Sequence, residues 1–264
     1  MSHPSPQLEE EKLLDVHIWR GSGDAGDYQT FQVPTQESQT ILDVVSYIQQ
    51  YIDPTLTYRF ACRVGMCGSC AMMVNGVPRW TCRTHVKKIT DTSNQAEGLI
   101  ISPLRNLPVI KDLVVDMDVF FDKWIRAEAV HHPTRSIEQG MQEVDETSDE
   151  RRSANAAIEC INCAVCYAAC DVVASNPDYL GPAALNRAWS LVNDVRDGGR
   201  EAILEAVSGK GGCHNCHSQQ SCQKYCPNEL NPTASIAGLK RETAKHALRG
   251  LLPFSPRQQP EEPV

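Results

Sequence analysis

The sequence has no long apolar run, no excess of basic residues and no export signal. Apolar stretches such as Leu113–Val115 end well short of the ~20 residues that a membrane-spanning helix needs. Lys and Arg total 25 against 33 Asp and Glu, giving a formal net charge of −8, whereas nucleic-acid-binding proteins carry a basic surface. Met1–Glu11 has neither a basic start nor an apolar segment. We therefore expect no nucleic-acid partner, no membrane span in this chain and a reducing, cytoplasmic environment.

Aromatic residues are also scarce, at 6%, but 41% apolar and 22% charged residues are ordinary for a globular protein. A length of 264 residues suggests two modules of average size. Strand-like alternation and the Asn75-Gly76 hairpin signal occur early, with one helix predicted over 41–52 behind Thr40. Helical periodicity dominates later. We predict a disordered start (1–12), a first domain (13–125), a linker or exposed helical segment (126–153), an all-α domain (154–250) and a flexible tail (251–264).

The 12 cysteines are unusual for a chain in a reducing compartment, where disulfides are disfavoured. The first group has the spacing Cys62-x4-Cys67-x2-Cys70 with a later Cys82, which is typical of a plant-type [2Fe–2S] site. Gly65 and Gly68 between the thiols allow the loop to fold tightly. Zinc held by four thiolates is the alternative, but such sites usually pair distant Cys-x2-Cys motifs.

Seven of the eight remaining cysteines form two runs in the helical half. Cys160-x2-Cys163-x2-Cys166-x3-Cys170 is a bacterial ferredoxin run, whose fourth cysteine binds the neighbouring cluster. The second run, Cys216-x5-Cys222-x3-Cys226-Pro227, has Gln219 in place of its middle cysteine. By reciprocity, we predict that a [4Fe–4S] cluster is held by Cys160, Cys163, Cys166 and Cys226, and a [3Fe–4S] cluster by Cys170, Cys216 and Cys222.

Cys213 leaves alternatives open. As a fourth ligand it would allow two [4Fe–4S] clusters, and with Cys216, Cys222 and Cys226 it would form a zinc site that strands Cys170. We interpret it as a buried spare thiol, because the glycine-rich stretch 209–212 before it suggests a flexible approach.

With these motifs in place, the chain closely resembles the iron–sulfur subunits of succinate:quinone oxidoreductases, that is, of succinate dehydrogenase and quinol:fumarate reductase. The resemblance covers about Val16 to Leu248. It is carried by FACRVGMCGSCAMMVNGVPRWTC, PLRNLPVIKDLVVDM, IECINCAVCYAAC, NPDYLGPAAL, NDVRDGG and CHSQQSCQKYCPNELNPTASIAGLK. It implies an α+β chain, with an amino-terminal β-grasp domain like plant-type ferredoxins followed by an all-α two-cluster domain like bacterial ferredoxins.

The resemblance also implies partners. These are a flavoprotein subunit with covalent FAD, which interconverts succinate and fumarate, and a membrane anchor with quinone and in many members haem. Lys240 matches the family's lysine after the final Cys-Pro run, and His217 matches a histidine that some succinate dehydrogenases place beside the trinuclear cluster. Either could hydrogen-bond a quinone oxygen; the alternatives are a lysine on a helix surface and a histidine with a local hydrogen bond. Asp171 stands where the family usually has proline. Ser175 stands where the dehydrogenase branch often has a tryptophan at the quinone site. These departures weigh against a ubiquinone-type site. The PDYLGPAAL and NDVRDGG segments look more like those of bacterial fumarate reductases.

Three functional hypotheses follow. The first is an electron-transfer subunit of a membrane-bound succinate:quinone oxidoreductase, held peripherally on the cytoplasmic face of the membrane. The second is a soluble multi-cluster ferredoxin that shuttles electrons between diffusing partners. The third treats the second module as helices stabilised by zinc. We favour the first, since a row of one-electron centres suits an electron relay.

Overall fold

A computed structural model describes residues 12–91 and 98–251, so nearly all of the predicted disordered start and flexible tail lies outside the described residues. The α+β class is confirmed. The strands are β1 (Leu13–Ser22), β2 (Ala25–Pro34), β3 (Ala71–Val74), β4 (Val77–Trp80), β5 (Leu99–Ser102), β6 (Val109–Lys111) and β7 (Val114–Val115). The helices are α1 (Ile41–Tyr47), α2 (Val86–Thr90), α3 (Asp118–Arg126), α4 (Asp149–Ala154), α5 (Val165–Ala168), α6 (Asp171–Ser175), α7 (Pro182–Val192), α8 (Arg200–Ser208), α9 (Ser221–Lys224) and α10 (Pro232–Leu251).

The first domain is built on a five-stranded sheet in the order β2-β1-β5-β3-β4. The β1–β2 and β3–β4 pairs are antiparallel hairpins, whereas β1 and β5 run parallel. Asn75 and Gly76 form the tight turn between β3 and β4 with φ of 47° and 76°. Asn and Gly tolerate this left-handed backbone conformation well, which is why their pairing predicts a two-residue hairpin. The hairpin predicted at Asn75-Gly76 is confirmed.

Helix α1 lies where the sequence predicts it. The Thr40 side chain accepts a hydrogen bond from the amide of Asp43, and the Asp43 carboxylate accepts one from the amide of Thr40, so the helix starts with a capping box. The predicted extent to Ile52 is confirmed, but the last turn, Ile48–Ile52, is a π-helix. In this turn the amide of Asp53 donates to the carbonyl of Ile48, five residues earlier, at 2.7 Å.

Strand β3 joins the two halves of the molecule. All four of its residues are buried, because its two faces pack into different cores. Met72 and Val74 contact the core between the sheet and α1, whereas Ala71 and Met73 belong to a core that includes Tyr167 and the helices of the second domain. Since alternate strand residues point to opposite faces, this short apolar run seats the sheet against the helical domain.

The acidic segment between the domains is mostly exposed and contains a 3₁₀ turn (Ile137–Gln139) and α4. Its start is fixed by Asp197, whose side chain is fully buried. One Asp197 oxygen accepts from His131 Nδ1 at 2.8 Å and from the amide of His132 at 3.0 Å. The other accepts from the amide of Gly199 at 2.7 Å. This carboxylate therefore ties the segment to the loop that precedes α8.

Candidate functional site

The first cysteine group lies on the loop before β3 and on the 3₁₀ turn after β4. Cys62 and Cys67 are half-buried, whereas Cys70 and Cys82 are 2% and 6% exposed and pack together with Leu42. Gly65 has a φ of +76°, and a Cβ there would meet the Trp80 ring at 2.8 Å. Both observations explain why glycine is needed where this loop turns back on the sheet.

Backbone amides point at the sulfur of Cys62. Those of Val64, Met66 and Cys67 lie 3.5, 3.2 and 3.3 Å from Cys62 Sγ. These hydrogen bonds lower the pKa of Cys62 to about 6, because they stabilise the thiolate. Burial instead raises the pKa of Cys82 to about 11. The first cysteine group thus combines a half-buried sulfur, that of Cys62, whose surroundings suit an anion, with a buried sulfur, that of Cys82, whose free thiolate is costly unless it binds a cation.

In the helical domain, one cavity is lined by Cys160, Cys163, Cys166 and Cys226. Cys226 is distant in sequence from the other three. Burial raises the pKa of Cys163 to about 12, with smaller contributions from the charges of Cys160 and Cys226. Burial likewise raises the pKa of Cys166, and the charges of Cys163, Cys160, Cys222 and Cys226 add to the effect. These four sulfurs are therefore close enough to influence one another's ionisation.

A second cavity is lined by Cys170, Cys216 and Cys222. Cys170 lies directly before α6, as its N-cap residue. Burial raises the pKa of Cys222, and the charges of Cys170 and Cys216 raise it further. Gln219 lines the same cavity. The structure thus brings Cys170 to the later run and Cys226 to the earlier one.

Cys213 lines neither of these cavities. It is completely buried, and its sulfur lies 3.8 Å from Thr243 Oγ1. Burial raises its pKa, as expected for a thiol in an apolar environment.

Within residues 12–91 and 98–251, no three His, Cys, Asp or Glu side chains converge closely enough to hold one metal ion. In the same ranges, no helix has the length and apolar character required to cross a bilayer.

Three polar residues near the thiols were not predicted from the sequence. Thr233 Oγ1 lies 3.3 Å from Cys222 Sγ. Tyr179 is 1% exposed, and its hydroxyl interacts with Cys216. Asn106 Nδ2, from the first domain, donates to the carbonyls of Tyr167, Ala168 and Cys170 at 3.0, 3.4 and 3.2 Å. The only sequence signal for Asn106 is its place in the PLRNLP segment, because the contact itself crosses between domains.

The two residues predicted at the quinone lie beside the second cavity. His217 is exposed and lines the cavity. Lys240 is partly buried, and its Nζ donates to the carbonyl of Cys216 at 2.7 Å. Lys240 therefore has a structural contact in addition to any contact with a ligand.

Comparison with known proteins gives consistent matches along the chain. Residues 15–122 match the family of 2Fe-2S iron-sulfur cluster binding domains, and residues 159–231 match that of 4Fe-4S dicluster domains. The fumarate reductase iron-sulfur subunit of Mycobacterium tuberculosis is 35% identical over 86% of this chain and 90% of its own. That of Escherichia coli is 34% identical over 91% and 97%. A chain of the Mycobacterium smegmatis Sdh1 complex in the apo form superposes with a TM-score of 0.77 and 25% identity, over 92% of this chain and 99% of that one.

Proposed function

This chain belongs to the family of iron–sulfur subunits of succinate dehydrogenase and fumarate reductase, and from that premise we propose that it relays single electrons between FAD in a partner flavoprotein and quinone at a membrane anchor. The observation that carries the proposal is the gathering of the thiols into separate sets, one on the sheet loop and two around cavities of the helical domain. Separate one-electron centres in one chain suit a relay.

The proposed ligand sets follow this grouping. They are Cys62, Cys67, Cys70 and Cys82 for [2Fe–2S]; Cys160, Cys163, Cys166 and Cys226 for [4Fe–4S]; and Cys170, Cys216 and Cys222 for [3Fe–4S]. Thiolate is the usual ligand of such clusters. The placement of Gln219 at the cavity of the third set, where a regular run would supply another thiolate, favours the trinuclear form. Cys213 remains a spare thiol in this proposal.

The donor sets fit these groups chemically. Clustered thiols whose pKa is raised by burial and by their neighbours are stabilised as thiolates when they bind iron. When bound, the clusters accept and release electrons singly, whereas flavin chemistry on a dicarboxylate moves two. The chain's own groups hold the sulfurs and adjust their charge. The amides around Cys62 favour its thiolate form, and apolar residues such as Ile161 and Ile236 exclude water from the two cavities.

The remaining features of the proposal concern the partners. The flavoprotein docks over the [2Fe–2S] domain, and the anchor, with quinone and in many members haem, binds at the [3Fe–4S] end on the cytoplasmic face of the membrane. His217 and Lys240 are the proposed quinone residues. The position of His217 on the exposed lining of the cavity of Cys170, Cys216 and Cys222 supports this assignment, since a quinone there would lie beside the last centre of the relay.

The test is low-temperature EPR of the complex purified from native membranes, in the oxidised and reduced states, with analysis of iron, zinc and acid-labile sulfide. We expect a trinuclear signal in the oxidised complex, two further iron–sulfur signals on reduction, and co-purification of a flavoprotein and an anchor. Recovery of the chain as a free monomer with its clusters would instead support a soluble shuttle. Zinc without labile sulfide would support the hypothesis that zinc stabilises the helices of the second module.

Thr233 provides a prediction about the redox potential. A hydroxyl that donates to a ligand sulfur stabilises the more negative, reduced cluster. We therefore expect Thr233→Val to lower the midpoint potential of the [3Fe–4S] cluster. Loss of one hydrogen bond of about 1 kcal/mol corresponds to a shift of ~40 mV for a one-electron couple. Redox titration monitored by EPR measures this shift, and the [4Fe–4S] potential serves as an internal reference.

Thr243→Val is the matched control. It makes the same chemical change beside Cys213, a thiol outside the proposed ligand sets, so both cluster potentials should stay at their original values. A shift of the trinuclear potential in Thr243→Val, with none in Thr233→Val, would contradict both the role of Thr233 and the interpretation of Cys213 as a spare thiol.

A further inference from the structure

Gly68 of the first cysteine loop packs directly against Cys163 of the helical domain. Gly68 is buried and has a φ of +71°. A Cβ at this position would lie 2.5 Å from Cys163 Cβ, 2.8 Å from its Cα and 3.2 Å from its backbone nitrogen. Non-bonded carbon atoms rest about 3.5–4.0 Å apart. The two backbones can therefore approach this closely only because residue 68 has no side chain.

This approach is held by contacts on both sides of it. Ala71 and Met73, shortly after Gly68, are buried in the core that contains Val165 and Tyr167, shortly after Cys163. Asn106 adds hydrogen bonds from the first domain to three carbonyls at the end of α5. The Gly68–Cys163 contact is thus part of a packed interface between the domains and has a defined geometry.

The contact also lies between two of the proposed ligand sets. Gly68 is bonded to Cys67, a proposed ligand of the [2Fe–2S] cluster. Cys163 is a proposed ligand of the [4Fe–4S] cluster, and the atom that a Cβ at residue 68 would approach most closely is the Cys163 Cβ, one bond from the sulfur. Electron tunnelling weakens steeply with each gap through space, so a route that follows covalent bonds except at one tight contact is favoured.

We propose that Gly68 is a positioning residue for electron transfer, and that electrons cross between the two domains at its contact with Cys163. This inference rests on the proposed function, because it takes the cluster ligands from it. It adds a specific requirement, namely that residue 68 must lack a side chain in order to keep the through-space gap short. A larger residue would separate the loop from Cys163 without removing any ligand.

The test compares Gly68→Ala with Gly76→Ala in the assembled complex. Gly76 has a similar φ of +76°, but a Cβ there would meet no atom within 4 Å, so this control carries the backbone strain without the clash. Laser-flash reduction of the [2Fe–2S] cluster, followed by its reoxidation, measures the transfer rate. We expect transfer to be severalfold slower in Gly68→Ala and unchanged in Gly76→Ala, with equal cluster content and midpoint potentials in both.

An unchanged transfer rate in a fully loaded Gly68→Ala complex would overturn the inference and leave the proposed function intact. Absence of clusters from the unmodified complex would instead contradict the proposed function itself. Should Gly68→Ala fail to assemble, the unmodified complex still provides a test. Reduced [4Fe–4S] is expected to enhance the EPR relaxation of [2Fe–2S] more than the [3Fe–4S] cluster does, and the reverse order would overturn the inference.

Discussion

Replacement of Cys226 by alanine is expected to abolish the [4Fe–4S] signal and leave the [3Fe–4S] signal, although Cys226 follows Cys222 by only four residues. The reason is the grouping of the thiols, since Cys226 lines the cavity of Cys160 and Cys163 and is absent from the lining of the cavity that contains Cys222. The three thiols that remain in the first cavity match only a trinuclear cluster. EPR of the reduced complex and iron analysis measure the loss, and quinone-dependent turnover should fall to background because the relay is interrupted at its centre.

Two further variants act as controls for Cys226→Ala. Cys222→Ala should give the opposite pattern, with loss of the oxidised trinuclear signal and retention of the reduced [4Fe–4S] signal. Cys213→Ala should retain both clusters, because Cys213 contacts Thr243 and lies outside both linings. A Cys226→Ala complex that kept its [4Fe–4S] signal and lost the trinuclear one would refute the crossed assignment of ligands.

Local features of the molecule are the most accessible from the sequence. The Asn75-Gly76 turn and the start of α1 at Thr40 are determined by residues a few positions apart, and both predictions are confirmed. Cysteine spacing is likewise local information, since a short loop can bring several thiols together only at particular separations. The spacing therefore identifies the runs of cysteines along the chain, whereas the exchange of Cys170 and Cys226 between the runs joins distant segments, and the ligand sets stay a prediction.

Contacts between distant segments are not accessible in this way. Asn106, Gly68 and Thr233 each contact a residue in another segment or domain, and the sequence around them does not indicate which residue that is. Asp112 is similar. It adopts a left-handed backbone conformation, with a φ of +50°, that is uncommon for residues other than glycine. Its buried carboxylate is explained only by the strands and loops that surround it.

Asp112→Ala is expected to cause the largest loss of folding stability. Asp112 is 2% exposed. Its Oδ1 accepts from Arg20 Nε and from the amide of Gly21, both at 3.1 Å, and its Oδ2 accepts from the amide of Thr57 at 2.9 Å. Alanine would leave the amides of Gly21 and Thr57 without this acceptor, at about 1–3 kcal/mol for each unsatisfied group, whereas Arg20 would keep its ion pair with Asp53 at 2.6 Å. Denaturant unfolding of the complex-free chain, or thermal unfolding of the complex, measures the change.

The effect should extend to the proposed [2Fe–2S] site, because Thr57 shortly precedes the loop that carries Cys62, Cys67 and Cys70. We expect Asp112→Ala to lose [2Fe–2S] before the clusters of the helical domain on warming. Asp149→Ala is the matched control, since its pair with Arg152 is exposed and such pairs contribute about 0–1 kcal/mol. Equal stability losses in the two variants would show that the Asp112 network does not support the loop. A larger loss of stability in Asp112→Ala alone, with early loss of [2Fe–2S], would show that retention of this cluster depends on a carboxylate that contacts none of its thiols.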